Sequence, residues 1–216
     1  LAGAEGVEAV HLHEARPGKI NALAAAMPRI DTPFVAFCDA DTIYPPHYLA
    51  AAERLYADAG VASALAMDLY GDPASPANRR RMRLYARAIS RLLDWQCHTG
   101  GFGQTFRTEA FRAAGGYSES QWPFVLMDHE IMHRVMKIGR VAYAEDFWCL
   151  PSPRRASRRR VRWTLPERAL YHVTPYRYQG WFFYRFLARR FARRGLWGTN
   201  LRQQAWQPGG QDGPGR

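Results

Sequence analysis

The stretch that decides the fold is "FVAFCDADTIYPP", residues 34–46, in which an apolar run ends in two aspartates. Pro33–Cys38 is short and continuously apolar, which indicates a buried parallel strand of an α/β protein. Side chains alternate along a strand, so Asp39 and Asp41 would point to the same side if the strand continued through them. Two carboxylates at a strand's carboxyl end are typical ligands of a hard cation, which predicts a Mn²⁺ or Mg²⁺ site that also takes substrate phosphate oxygens.

A second interpretation of the two aspartates is purely structural. Asp is common in turns and at helix N-termini, so "DADT" would then be only the turn before the next helix. The sequence favours the ligand site, because the acids follow a fully apolar strand and precede Pro46, a residue suited to the first turn of a helix.

Regular elements are predicted on both sides of this stretch. Gly18–Met27 is rich in alanine and predicts a helix, and Pro46 predicts the start of a second helix that Gly60 ends. "VASALAMDLY" (61–70) predicts a strand, and 78–95 predicts a basic helix. The apolar face of the second helix is predicted to consist of Leu49, Ala52, Leu55, Tyr56 and Ala59. Helices and strands alternate to about residue 150, which predicts a sheet with helices on its faces.

The charge of the chain is concentrated in its last third. The 216 residues carry a formal charge of +11, but residues 1–150 hold 15 Lys/Arg against 17 Asp/Glu, and residues 151–216 hold 15 Arg against 2 acids. The excess therefore says little about the chemistry of the first 150 residues. Three widely spaced cysteines indicate neither a disulfide framework nor a zinc site. The sequence contains no run of 18 apolar residues, so a membrane-spanning helix is not predicted.

Three blocks of the sequence resemble a known family in their order and spacing. They are "GKINALAAAMPRIDTPFVAFCDADTIYPPHYLAAAERL" (18–55), "GGFGQTFRTEAFRAAGGYSES" (100–120) and "MDHEIMHRVMKIGRVAYAED" (127–146). Together they are similar to family 2 glycosyltransferases of the GT-A fold, over about residues 17–155. The resemblance implies an α/β nucleotide-diphospho-sugar transferase, Rossmann-like, with a mixed sheet and flanking helices.

The resemblance implies a donor site around the two aspartates. Asp39 and Asp41 would meet the nucleotide ribose and the metal-bridged diphosphate, with Asp41 the direct metal ligand. Lys19 would contact phosphate, although a solvated lysine in the first turn of a helix is the alternative. Arg154 and Arg155, in "PSPRR", would brace the diphosphate as bidentate donors, with a solvated basic loop as the alternative.

The resemblance also implies an acceptor site. Asp128 would be the general base that deprotonates an acceptor hydroxyl, leading to inversion at the anomeric carbon. Its alternative role is that of a first-turn acid favoured by the helix dipole. Gly100 and Gly101 would allow close approach of the acceptor, or else form a bulge in an edge strand. His129 and His133, four residues apart, are interpreted as surface or core histidines rather than metal ligands.

The sequence departs from the family at three places. Met127 stands where the family has an acid before the catalytic aspartate. "RRVRW" has Arg159 where processive synthases have the Gln of Q-x-x-R-W, and only Arg162 and Trp163 match that motif, so a synthase of long polymers is not predicted. About 30 residues precede the strand that leads to Asp39, which predicts that the first βαβ portion is missing and that the chain is a fragment.

The predicted domains are a partial catalytic domain (1–150), a basic and aromatic C-terminal extension (151–206) and a disordered tail (207–216). Within the extension, Arg185, Arg189 and Arg193 form one stripe of a helix. The opposite face of that helix is predicted to consist of Trp181, Tyr184, Leu187, Ala188 and Phe191. Either this aromatic face lies on an anionic membrane surface, or it packs on the catalytic domain.

The sequence thus predicts an inverting glycosyltransferase that uses Mn²⁺ or Mg²⁺, a nucleotide-diphospho-sugar donor and a glycan or lipid-linked acceptor. A cytoplasmic location, peripheral on the inner face of the cell membrane, fits such an acceptor, and no specific nucleic acid is expected. One alternative is a non-catalytic basic module that binds membrane or RNA. The other is a D-x-D phosphatase of the haloacid dehalogenase type, which Ile43 disfavours because that motif has Thr or Val at this position.

Overall fold

The computed structural model describes residues 9–69, 75–92, 95–151 and 163–199. These residues form two small sheets flanked by helices, as the α/β prediction requires. The strands are β1 (Phe34–Phe37), β2 (Thr42–Ile43), β3 (Val61–Leu65), β4 (Met67–Asp68), β5 (Gln104–Arg107), β6 (Arg140–Ala142) and β7 (Trp148–Pro151). The helices are α1 (Lys19–Ala26), α2 (Tyr48–Tyr56), α3 (Pro76–Leu92), α4 (Thr108–Ala113), α5 (Met127–Val135), α6 (Leu165–Val173), α7 (Gln179–Trp181) and α8 (Ala188–Arg193).

The larger sheet has the strand order β1-β5-β3-β6. β5 runs antiparallel to both of its neighbours, whereas β3 and β6 are parallel. The prediction that β1 is a parallel strand is therefore wrong with respect to its partner, because Phe34 lies opposite Arg107 and Phe37 opposite Gln104 in an antiparallel register. A continuous apolar run indicates that both faces of a strand are covered, and it does not reveal the direction of the neighbouring strand.

The smaller sheet has the order β2-β7-β4. β7 is antiparallel to β2 and parallel to β4. Since β2 begins at Thr42, directly after Asp41, this sheet fixes the position of the chain just beyond the two aspartates. The turn between β1 and β2 therefore lies at the junction of the two sheets.

Helices cover both faces of the larger sheet. On one face, α4 and α5 contribute Phe111, Ile131 and Val135, which are fully buried against Phe106 of β5. On the other face, α2 packs against β3 and the chain near Phe147. The side chains of α2 that are buried there are Tyr48, Ala51, Ala52 and Tyr56.

The predicted apolar face of α2 is wrong at two positions, Leu49 and Ala59, which are both exposed. Leu49 is 66% exposed, because the helix begins at Tyr48 rather than Pro46 and is rotated so that Tyr48 and Ala51 face the core. The helix also ends at Tyr56, ahead of the predicted stop at Gly60.

The C-terminal helix is continuous from α7 to α8 through a π-helical segment, Phe182–Leu187. Its fully buried side chains pack with Trp122 of the body and Tyr171 of α6. These buried side chains are Phe182, Phe183, Leu187 and Phe191. Leu187 and Phe191 of the predicted aromatic face therefore pack on the body rather than on a membrane, whereas Trp181 and Tyr184 of that face are exposed. No helix among the described ranges is long and apolar enough to cross a membrane.

A short segment after the C-terminal helix ties it to the body, and we call Leu196–Gly198 the C-terminal strap. The Val125 N–H donates to the Leu196 carbonyl at 3.1 Å, and the Gly198 N–H donates to the Pro123 carbonyl at 2.8 Å. The Trp197 ring stacks on Phe124 with 4.7 Å between ring centroids. The described part of the predicted extension (151–206) thus shares a core with the body, and residues 207–216 lie outside the described residues.

His133 of α5 is buried in the contact between α5 and the C-terminal helix. It is 3% exposed, and neither ring nitrogen has a hydrogen-bond partner among the residues described. Its ring lies 5.8 Å from those of Tyr176 and Phe183. Burial, together with the charges of Lys137 and Arg134, lowers the pKa of His133 from 6.5 to about 4. The fold therefore holds this histidine neutral.

We expect this histidine to make the protein less stable in acid. As the pH falls below the unfolded pKa of 6.5, the unfolded chain takes up a proton that the folded chain refuses until the pH reaches about 4. The free energy of unfolding should therefore fall over this window, by up to about 3 kcal/mol from His133 alone. Denaturant titrations across this pH range should show a shallower decline for His133→Phe, and equal declines for both proteins would contradict the assignment.

Candidate active site

The two aspartates lie in a turn rather than in a strand. β1 ends at Phe37, and the Thr42 N–H donates to the Asp39 carbonyl at 3.1 Å, which closes the turn. The strand geometry that would point Asp39 and Asp41 to the same side therefore does not continue through them. Asp39 is partly buried and Asp41 is exposed.

Tyr44 holds this turn against the glycine-rich segment. Its hydroxyl accepts a hydrogen bond from the Asp39 N–H and donates one to the Phe102 carbonyl, both at 2.8 Å. Sequence reasoning missed Tyr44, because the contact joins residues 58 positions apart. The segment around Phe102 is thereby fixed to the turn that carries the aspartates.

Lys19 joins α1 to the same turn. It is the first residue of α1, and its Nζ lies 2.5 Å from Asp39 Oδ1 in a part-buried ion pair. Gly18 sets the entry into the helix with a φ of 116°, a conformation that favours glycine. Two of the predicted donor-site residues are therefore in direct contact.

Asp128 is the second residue of α5, and its carboxylate is held by several donors. Oδ2 accepts the Gly101 N–H at 2.9 Å, and Oδ1 accepts the His129 N–H at 3.0 Å. The His129 ring nitrogen Nδ1 also lies 3.0 Å from Oδ1. Burial would raise the pKa of Asp128, but His129, Gly101 and the charge of Lys19 outweigh it and hold the pKa at about 2. The carboxylate is therefore ionised at neutral pH.

The influence of Lys19 on Asp128 links the two predicted half-sites. Lys19 contacts Asp39 and also lowers the pKa of Asp128 through its charge. Burial and then the charges of Asp128 and Asp39, among others, raise the pKa of the Tyr117 hydroxyl. The Lys19 charge and the Tyr117 hydroxyl are thus each coupled electrostatically to both aspartates.

A chain of hydrogen bonds supports Asp128 from behind. Gln104 Nε2 donates to the Asp128 carbonyl at 2.9 Å, and the Tyr117 hydroxyl donates to Gln104 Oε1 at 3.0 Å. Both residues are buried. Both also lie inside the block "GGFGQTFRTEAFRAAGGYSES" that resembles the family, but the sequence alone did not show what the two side chains contact.

The backbone before α5 is strained. Leu126, at the N-cap, has φ 62° and ψ 32°, and among the described residues it is the one non-glycine with positive φ. Such a conformation costs of order 1–3 kcal/mol and persists where surrounding contacts enforce it. Those contacts are the Trp122 indole N–H, which donates to the Val125 carbonyl at 2.8 Å, and the bond from Val125 to the C-terminal strap.

The C-terminal helix reaches the first turn of α5 through a buried network. Glu130 is fully buried and accepts two bonds from Arg134, each at 2.8 Å. The Tyr184 hydroxyl donates to the same carboxylate, and Arg134 also donates to the Ala114 carbonyl. Glu130 thus has a structural role, and it lies one helical turn after Leu126, the strained residue at the N-terminus of α5.

Aromatic rings form one wall beside Asp128. The His129 ring lies 5.2 Å from the Trp163 ring and 5.9 Å from the Tyr171 ring. Trp163 is partly exposed, whereas Tyr171 is buried. A partly exposed indole next to a carboxylate is a surface against which an acceptor can lie.

The two predicted acceptor glycines have different roles in the structure. A side chain on Gly100 would overlap the Phe102 ring, with a Cβ only 2.4 Å from it, so Gly100 allows the chain to fold back on itself. The N–H of Gly101 holds Asp128, as described above. The predicted phosphate ligands Arg154 and Arg155 lie outside the described residues.

A divalent cation fits the turn only with substrate atoms in its shell. The described residues contain no group of three or more His, Cys, Asp or Glu side chains placed to bind a metal. Asp39 is paired with Lys19, and Asp41 is an exposed residue of the same turn. Mg²⁺ is often held by one or two carboxylates together with substrate phosphates and water, which is the donor set that this turn offers.

We expect Gly101→Ala to disturb Asp128 directly. The added Cβ would lie 3.3 Å from Asp128 Cβ and 3.7 Å from Oδ2, so the carboxylate must shift. A shift of this kind should lower turnover about ten- to hundredfold while the protein keeps its thermal stability. Steady-state kinetics of Gly101→Ala, with Gly60→Ala in the turn before β3 as the control, would check this. Equal turnover in both variants would contradict the role of Gly101.

The sequence model of glycosyl transferase family 2 matches residues 2–114. A similar solved structure is the mannosyltransferase PcManGT from Pyrobaculum calidifontis, in complex with GDP-Man and Mn²⁺. It is 20% identical with a TM-score of 0.49, and the match covers 81% of this chain and 49% of that chain. This chain thus spans about half the length of PcManGT. No curated protein matches the sequence.

Proposed function

Since the chain belongs to glycosyl transferase family 2, whose model matches more than half of its residues, we propose that it transfers a sugar from a nucleotide-diphosphate donor to a hydroxyl acceptor with inversion. The observation that carries the proposal is the convergence of three segments on one site. Lys19 of α1 pairs with Asp39 after β1, and its charge also lowers the pKa of Asp128 on α5.

In this mechanism, Asp128 is the general base. Its pKa of about 2 keeps it ionised, and an acceptor hydroxyl that hydrogen-bonds to it can pass on its proton as the oxygen attacks the anomeric carbon. A carboxylate with so low a pKa is a weak base while its present donors are in place. Displacement of the His129 ring from Oδ1 by the acceptor hydroxyl would raise the pKa and strengthen the base.

In this proposal, the donor is bound by Lys19 and by the turn between β1 and β2 that carries the two aspartates. In the proposed mechanism, Asp39 and Asp41 meet the ribose hydroxyls and the diphosphate, and Lys19, which is paired with Asp39, shares its charge with a phosphate oxygen. A Mn²⁺ or Mg²⁺ ion held by Asp41, with Asp39, would offset charge on the leaving diphosphate. The part of the site beside Trp163 is left for a glycan or lipid-linked acceptor.

Calorimetry tests the donor half of the proposal. UDP, GDP and their common sugar conjugates should be titrated with Mn²⁺ and with chelator, against this chain and against the longest form of the protein that contains it. Metal-dependent binding of one nucleotide would support the donor site and identify the nucleobase that the protein recognises. Absence of binding by the longer form would overturn the transferase, and release of phosphate from a generic phosphoester would favour a phosphatase instead.

The stereochemistry of the product tests the second half. With an α-linked donor, proton NMR of the initial product should show a β-linkage if the transfer inverts. Retention at the anomeric carbon would contradict the role of Asp128 as a base for direct attack, while leaving the donor site intact.

A further inference from the structure

The C-terminal helix exposes a face of arginines that have no acidic partner within the described part of the chain. Arg185, Arg189 and Arg193 recur every four residues and are exposed, and Arg177 lies just before the helix. We call these four residues the arginine face. None of them forms a salt bridge with a described residue, whereas Arg190 and Arg194 on the other side of the helix both pair with the buried Glu167.

The surrounding sequence offers the arginine face no compensation. Between Glu167 and Asp212 there is no Asp or Glu, and the Glu167 carboxylate is already bound by two arginines. Four like charges on an uncompensated surface repel one another, and they attract an anionic partner. The charge of this face therefore needs a counterpart that the described residues do not provide.

Exposed aromatic rings lie among these arginines. Trp181 and Tyr178 are each 50% exposed, and Trp181 precedes Arg185 by four residues on the same side of the helix. The Arg177 guanidinium lies over the Tyr178 ring, 4.8 Å from its centroid. Trp and Tyr are the residues that settle at the headgroup level of a bilayer, with Arg beside them.

We propose that the arginine face, with Tyr178 and Trp181, binds an anionic lipid surface. Of the side chains that the sequence assigned to lipid, Leu187 and Phe191 are buried, whereas Trp181 is exposed beside the arginines, so the docking surface is the basic side of the helix together with Trp181. Nucleic acid is the less favoured partner, because the two exposed rings lie at one end of the helix rather than along a groove that could stack successive bases. The proposal goes beyond sugar transfer and does not depend on it.

The position of this face relates the membrane to the site. The helix that carries it also bonds through Tyr184 to Glu130, in the first turn of α5. A bilayer bound at the arginine face would thus contact one side of the C-terminal helix. Tyr184 of the same helix connects it to α5, which carries Asp128.

Vesicle binding tests the proposal. The chain should be centrifuged with neutral phosphatidylcholine vesicles and with vesicles in which about one lipid in three is phosphatidylglycerol. Binding only to the anionic vesicles, weakening as salt rises from about 50 to about 500 mM, is expected. The triple variant Arg185→Gln, Arg189→Gln, Arg193→Gln should lower the partition coefficient about a hundredfold.

A matched control separates this face from net charge. Arg29, Arg80 and Arg87 are exposed on other elements, and changing all three to Gln removes the same charge. Equal loss in both triple variants, or no binding of the unchanged chain to anionic vesicles, would overturn the proposal. Binding to a duplex or single-stranded oligonucleotide without binding to vesicles would assign the face to nucleic acid instead. Trp181→Ala, which changes no charge, should weaken vesicle binding even at high salt.

Discussion

Asp128→Asn is expected to lower kcat by about 10²–10⁴-fold, the usual contribution of a general base. The amide keeps the size of the side chain, and its oxygen can still accept the Gly101 N–H, but it cannot take a proton from the acceptor. The dissociation constant of the nucleotide should change little. Steady-state kinetics at saturating donor, together with calorimetry of nucleotide binding, would measure both quantities.

The same substitution at Asp31, which is exposed and lies before β1, serves as the control. Turnover of Asp128→Asn within about threefold of the unchanged chain would place the base elsewhere. Neighbouring positions offer no substitute, because Met127 has no acid and Glu130 is fully buried and bonded to Arg134.

Asp41→Asn is expected to abolish the dependence of donor binding on metal. If the exposed carboxylate holds the cation, the amide should weaken nucleotide-diphosphate binding in Mn²⁺ about a hundredfold, because the metal offsets several kcal/mol of phosphate charge. Binding measured with chelator should be the same for the variant and the unchanged chain. Calorimetric titrations with and without Mn²⁺ provide these four values.

Asp39→Asn distinguishes the two acids of the turn. Because Asp39 is paired with Lys19, its loss frees that cation as well as removing a ligand, so its effect should include a change that persists in chelator. If Asp41→Asn bound the nucleotide as tightly as the unchanged chain in Mn²⁺, the turn would have only a structural role.

The sequence predicted the positions of helices and strands better than it predicted which elements pair or pack with one another. Glycine and proline positions located α1 and α2 to within a few residues, because local backbone preference decides where a helix begins and ends. The direction of the strand beside β1 was wrong, because the pairing of Phe34 with Arg107 depends on a segment more than 60 residues away. The apolar face predicted for α2 was wrong at Leu49, which is exposed, because the elements that pack against a helix set its rotation.

The site shows the same division. Asp39, Asp128 and Gly101 were chosen from motifs, and the structure brings Gly101 onto Asp128 and pairs Lys19 with Asp39. The ring contact of His129 with Asp128 was not predicted, nor was the left-handed conformation of Leu126. Both depend on packing, Leu126 in particular on the C-terminal strap, which lies some 70 residues further along the chain.

The C-terminal strap and the buried face of the C-terminal helix have a consequence for how this protein can be divided. A boundary at residue 150 separates two compositions, but it cuts through one hydrophobic cluster that contains Trp122 and Phe182. A product consisting of the first 150 residues alone would expose Trp122 and release the hydrogen bond that holds Val125 beside the strained Leu126. Asp128 and the basic extension therefore belong to one cooperative unit, and an extension grafted from another protein would have to restore the contacts that position Asp128.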